Sequence, residues 1–100
     1  AFKRAKIAGY DLVCLYGAHG FGIIQHFLST ATNHRTDEYG GSLENRSRLM
    51  RELIEDAKDE IGDSCGFTLR LSLDEIVGDL GFANNEVRDL ISMHSELPDL

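Results

Sequence analysis

The chain has 100 residues, 42% apolar and 27% charged, with 17 acidic against 10 basic side chains and a formal net charge of −7. That balance is globular and disfavours nucleic acid or an anionic membrane surface as the main partner, although "NRSRLMR" gathers Arg46, Arg48 and Arg51. No apolar run approaches the roughly 20 residues that span a bilayer. Two cysteines, Cys14 and Cys65, lack a CxxC partner and point to buried, reduced thiols in a cytoplasmic protein.

The sequence opens in what reads as the last turns of a helix, residues 2–8, with Gly9 at the left-handed position that stops it. Together with an end just after Pro98, this gives the expectation of one partial domain over 1–100. "DLVCLYGA" (11–18) is a nearly unbroken apolar run, which predicts a strand buried on both faces between helices. From His19 to Gly41 the chain is polar and glycine-rich apart from "IIQHFL", a length that suggests a functional loop.

Ser42 is placed to cap a helix running to about Ile61. Leu43, Met50, Leu53, Ile54, Ala57 and Ile61 recur at helical spacing, Glu44 suits the positive end, and Gly62 supplies the stop. "GFTLRLSLD" (66–74) then alternates Phe67, Leu69 and Leu71 with Thr68, Arg70 and Ser72, the pattern of a strand with one polar face. A second loop, 74–84, leads to a helix near 85–96. Alternation of strands and helices makes this an α/β protein with a parallel sheet. Long loops follow the strands and short ones follow the helices, which is the asymmetry of a (β/α)8 TIM barrel. A doubly wound sheet is the alternative.

Tyr16, Gly17, Ala18 and His19 fall at the C-terminal end of the first strand, where a barrel would place a substrate. A tyrosine and a histidine three apart can share one pocket and offer proton transfer to a polar substrate atom. The alternative is a core tyrosine with a satisfied hydroxyl. His19, His26 and His34 are spaced by seven and eight, which matches no zinc pattern, so no metal site is expected. Arg70, between two leucines in a strand, needs either an anionic or electron-rich ligand or a carboxylate such as Asp74 or Glu75. In "NHRTDEYGGSLENRSR" (33–48), Gly40 and Gly41 could cradle a phosphate ahead of the Ser42 cap. Without GxGxxG or a P-loop lysine, a structural loop pinned by Arg35, Asp37 and Arg46 is the better reading.

The run "GAHGF…QHFLS…TNHRTDEYGGSLENRSR" followed by "TLRLS" resembles the old yellow enzyme family of FMN-dependent oxidoreductases, with "RTDEYGGSLENR" its most specific part. The likeness reaches about Glu75 and weakens beyond. It implies a (β/α)8 barrel with FMN at its mouth, this stretch supplying about strands four and five and part of the third helix. It also implies Arg70 at the electron-rich edge of the flavin. Ene-reductases of the family carry histidine where Tyr16 stands and a proton-donating tyrosine where Phe21 stands. The "YGAH" arrangement instead resembles the trimethylamine and dimethylamine dehydrogenase branch, in which the matching tyrosine and histidine join an aspartate, here expected beyond Leu100.

The resemblance implies an amine dehydrogenase or N-demethylase taking a small-molecule amine, with Tyr16 and His19 catalytic and Tyr16, Gly17, Ala18 and His19 lining the substrate. In that branch a covalent FMN link, a 4Fe-4S cluster and a second nucleotide cofactor are held outside this stretch. An electron-transfer protein partner and a homo-oligomer at full length are expected on the same ground. Cys14 and Cys65 match none of the cluster ligands. The alternatives are an NAD(P)H-dependent ene- or 2,4-dienoyl-reductase, and a non-catalytic orphan fragment.

Overall fold

The computed structural model describes residues 1–20, 22–72 and 84–94. Its elements are α1 (Phe2–Ile7), β1 (Leu12–Gly17), α2 (Ile23–Leu28), α3 (Leu43–Ile61), β2 (Gly66–Leu71) and α4 (Asn84–His94), with a short 3₁₀ turn at Gly62–Ser64. The predicted loop 74–84, Phe21, and the end of the last helix beyond His94 lie outside or at the edge of the described residues.

Local chemistry accounts for the helix ends. At α1 the Gly9 amide donates to the Lys6 carbonyl and the Tyr10 amide to Ala5, with Gly9 at φ 86°. This paired closure needs a left-handed residue, which glycine adopts at little steric cost. The Ser42 hydroxyl accepts from the Asn45 amide at 3.2 Å and opens α3, and Gly62 at φ 53° closes it. One face of α3 carries Met50, Ile54, Ala57 and Ile61 into the core.

β1 and β2 pair in parallel from Leu12 beside Gly66 to Gly17 beside Leu71, with α3 as the crossover between them. The helices cover one side of this pair. Leu15, Ile24, Leu28, Met50, Ile54, Phe67 and Leu90 form the shared core, and Phe2 meets Phe67 with ring centroids 5.8 Å apart. The other side, carrying Leu12, Cys14 and Tyr16 on β1 and Gly66 and Arg70 on β2, is exposed.

The structure departs from expectation in three places. Within this stretch β1 is buried on one face, its other face meeting no described partner. Cys14, on the open face, is therefore exposed, while Cys65 is buried; both are free thiols. "IIQHFL" is no loop: it forms α2, whose Ile24, Gln25 and Leu28 are buried against the rest of the chain.

Candidate active site

Parallel register brings the C-terminal ends of the two strands together and sets Tyr16 directly beside Arg70. Both side chains stand on the open face, Tyr16 with 40% of its surface exposed. The Arg70 guanidinium carbon lies 5.7 Å from the centre of the Tyr16 ring, a cation–π distance. Among the described residues Arg70 has no ion-pair partner, and Asp74 and Glu75, the carboxylates weighed for it, lie outside them. A guanidinium on an open sheet face beside an aromatic ring, lacking a described counter-charge, suits an electron-rich planar ligand.

His19 follows where β1 turns outward. It has φ 59°, left-handed backbone that costs a non-glycine residue about 1 kcal/mol. Its amide donates to Ser72 Oγ at 2.7 Å, across from the end of β2. Its Nδ1 shares a hydrogen bond with the Tyr16 hydroxyl, the rings tilted by 46° with centroids 6.0 Å apart. A phenol joined to an imidazole in this way can receive a proton at one end and pass one on at the other.

The four residues at this strand end are not equivalent. Gly17 and Ala18 are buried. A Cβ on Gly17 would come within 2.8 Å of Ile24 Cγ2 and 3.1 Å of Leu71 Cδ2, so the absence of a side chain is what lets α2 rest on β1. Tyr16 and His19 are exposed, whereas Ala18 is 1% exposed.

The other histidines are apart from this group. His26 Nε2 donates to the Gly20 carbonyl at 3.0 Å and pins the turn after His19. His94 is buried and its Nδ1 donates to the Leu90 carbonyl at 2.8 Å. Ser72 is the residue that sequence reasoning left unassigned: alternation put it on the polar face of β2, but its bond to a residue 53 positions away depends on the pairing register.

The 33–41 segment is a structural loop. Asn33 Nδ2 donates to the carbonyls of Phe27 at 2.6 Å and Tyr39 at 2.8 Å, and Arg48 Nε donates to Glu38 at 2.8 Å. A Cβ on Gly40 would overlap the Arg35 carbonyl, and Asn45 Nδ2 donates to the Gly40 carbonyl at 2.9 Å. Arg46 is buried, donating to the carbonyls of Gly41 at 3.1 Å and Leu28 at 2.6 Å and pairing with Glu86 on α4. It joins the end of α2, the double-glycine turn and α4.

Within this loop the Arg35 guanidinium, hydrogen-bonded to Asp37, holds the carboxyl below its ordinary value of 3.8, helped by the Tyr39 amide. A depressed carboxyl contributes stability above its unfolded value and loses it as pH falls through the folded one. Asp37→Asn should therefore lose less thermal stability than the wild type between about pH 5 and about pH 2. Equal losses in a melting series would remove Asp37 as a contributor. Tyr39 shifts the opposite way, pushed up because its hydroxyl donates to the Glu52 carboxylate at 3.0 and 3.1 Å.

With the geometry in place, likeness to known proteins decides the family. The model of the NADH:flavin oxidoreductase / NADH oxidase family matches residues 1–98. The chain belongs to that family. It is 39% identical over all its 100 residues to an NADPH dehydrogenase of Clostridium acetobutylicum, of which it spans 29%. Among solved structures it is 66% identical to histamine dehydrogenase from Rhizobium sp. 4-9, with a TM-score of 0.90, covering 97% of this chain and 14% of that one. It is also 38% identical to 6-hydroxypseudooxynicotine amine oxidase from Pseudomonas geniculata N1, with a TM-score of 0.86, covering 98% and 15%. The fold is accordingly a stretch of a (β/α)8 barrel. In such a barrel the strand face away from the helices is the packed interior and the strand C-termini form the active-site mouth. That explains why Tyr16 and Arg70 stand on a face that no described helix covers. No described helix is long and apolar enough to cross a membrane.

Proposed function

We propose that the full-length protein is an FMN-dependent amine dehydrogenase or N-demethylase, with Tyr16 and His19 at the substrate and Arg70 at the flavin. The observation that carries this reading is the hydrogen bond between the Tyr16 hydroxyl and His19 Nδ1 at a strand end beside Arg70. The likeness to histamine dehydrogenase and to 6-hydroxypseudooxynicotine amine oxidase supports it, and makes histamine the first amine to try.

FMN, with Arg70 among the residues that would hold it, would supply the acceptor for a hydride from the carbon next to the amine nitrogen. For that carbon to release hydride, the nitrogen must first lose its extra proton so that its lone pair can assist. Tyr16 is placed to take this proton at its hydroxyl oxygen while its own moves to His19 Nδ1, leaving the positive charge on the imidazole. The amine gives up two electrons with the hydride and becomes an iminium. For a primary amine, water then yields the aldehyde and ammonia. Arg70 holds a fixed positive charge beside the ring, suited to a ligand that gains electrons. Any iron–sulfur cluster, second nucleotide cofactor or electron-accepting protein would be held by residues outside this chain.

Histamine deuterated at the carbon next to the amine should bleach the flavin more slowly than the protiated compound, as a primary isotope effect. Equal rates would mean that breaking this bond does not limit the reaction as proposed. The second reading, an NADPH-dependent ene-reductase, is favoured by the NADPH dehydrogenase relative that matches the chain over its whole length.

A further inference from the structure

We infer that Ser72 is a positioning residue for His19: its hydroxyl holds the His19 amide and so sets the imidazole against Tyr16. The inference rests on the proposed role of the Tyr16–His19 pair.

Among the described residues His19 is the one non-glycine with a positive φ, and it is followed by Gly20 at φ 70° and Gly22 at φ 88°. A segment with this backbone freedom has little of its own to fix where the imidazole points. Its position must come from tethers, and the structure supplies one on each side of the peptide chain. Ahead of the ring, the His19 amide donates to Ser72 Oγ at 2.7 Å. Behind it, the Gly20 carbonyl accepts from His26 Nε2 at 3.0 Å.

The Ser72 tether comes from the residue that follows β2, two positions after Arg70. One strand end therefore places the cation and, two residues on, fixes the backbone of the proton-handling histidine. The hydrogen bond also satisfies an amide that left-handed geometry turns away from the regular strand ladder. Serine is short enough to hold the turn close to β2. Threonine keeps the hydroxyl, and valine matches threonine in shape without it.

The test uses the full-length flavoprotein with the substitutions Ser72→Thr, Ser72→Val and His19→Ala, and the double variant His19→Ala with Ser72→Val. Two quantities are read: deuterium uptake at the His19 amide, and the rate of anaerobic flavin bleaching by histamine. Ser72→Val should expose the His19 amide to exchange and slow bleaching about 10- to 100-fold, as small misplacements of reacting groups do. Ser72→Thr should retain protection and most of the rate, and Ser72→Val should cost nothing further once His19 is alanine. The inference is overturned if threonine and valine behave alike, if the amide stays protected in Ser72→Val, or if the Val cost persists in the His19→Ala background. If histamine and other amines fail to bleach even the wild type, the proposed function fails. Deuterium uptake and bleaching by NADPH then decide Ser72 by the same comparisons.

Discussion

Replacing Tyr16 with phenylalanine in the full-length protein is expected to slow flavin bleaching by an amine about 100- to 10,000-fold, the usual worth of a positioned acid–base group. The substitution isolates the hydroxyl. The ring, 5.7 Å from the Arg70 guanidinium carbon, stays in place, so packing beside the cation is preserved. What is lost is the oxygen that bonds to His19 Nδ1 and, with it, the route proposed for a proton to the imidazole. His19→Ala should cost a similar factor, and the two together little more than either alone, because groups that act as a unit are not additive. Anaerobic stopped-flow absorbance measures these rates. An unchanged rate in Tyr16→Phe would remove Tyr16 from the mechanism.

Glu86→Leu is expected to be strongly destabilising. The Arg46 side chain is 4% exposed, whereas Glu86 on α4 is 25% exposed. Removing the carboxylate leaves a buried guanidinium with, among the described residues, only the carbonyls of Leu28 and Gly41 as partners. Breaking a buried pair from one side costs about 3–5 kcal/mol, since the remaining charge is uncompensated. The partial exposure of Glu86 places the expected loss at the lower end, about 3 kcal/mol, seen as a fall of several degrees in the thermal midpoint. Changing both partners, Arg46→Met with Glu86→Leu, should recover part of that loss. No recovery would mean that Arg46 acts through the two carbonyls rather than through the ion pair.

What the sequence made legible was local. α3 could be read with both its ends because Ser42, Gly62 and the apolar spacing between them act within a few residues of where they sit. β2 could be read because alternation along one strand reports its two faces directly. β1 could not be read in the same way. Leu12, Cys14 and Leu15 look alike in an apolar run, and which of them is covered depends on neighbours that the run does not contain. α2 escaped because six residues give fewer than two turns of periodicity, and Gly20 and Gly22 beside it look like loop.

The same division holds for the site. Tyr16 and His19 are three apart and announce themselves, whereas the approach of Arg70 and Ser72 is a consequence of register between strands more than fifty residues distant. The resemblance implies Gly17 as part of the substrate lining; that a Cβ there would meet Ile24 and Leu71 depends on the fold and is not legible in the run itself.

The choice between amine dehydrogenase and ene-reductase turns on what reduces the flavin. Full-length protein, purified and kept anaerobic, should show its visible flavin bands bleach when histamine or a methylated amine is added, and stay unchanged in a separate sample given NADPH. Bleaching by NADPH with reoxidation by an enone, and no response to any amine, would contradict the proposed function and make the protein an ene-reductase.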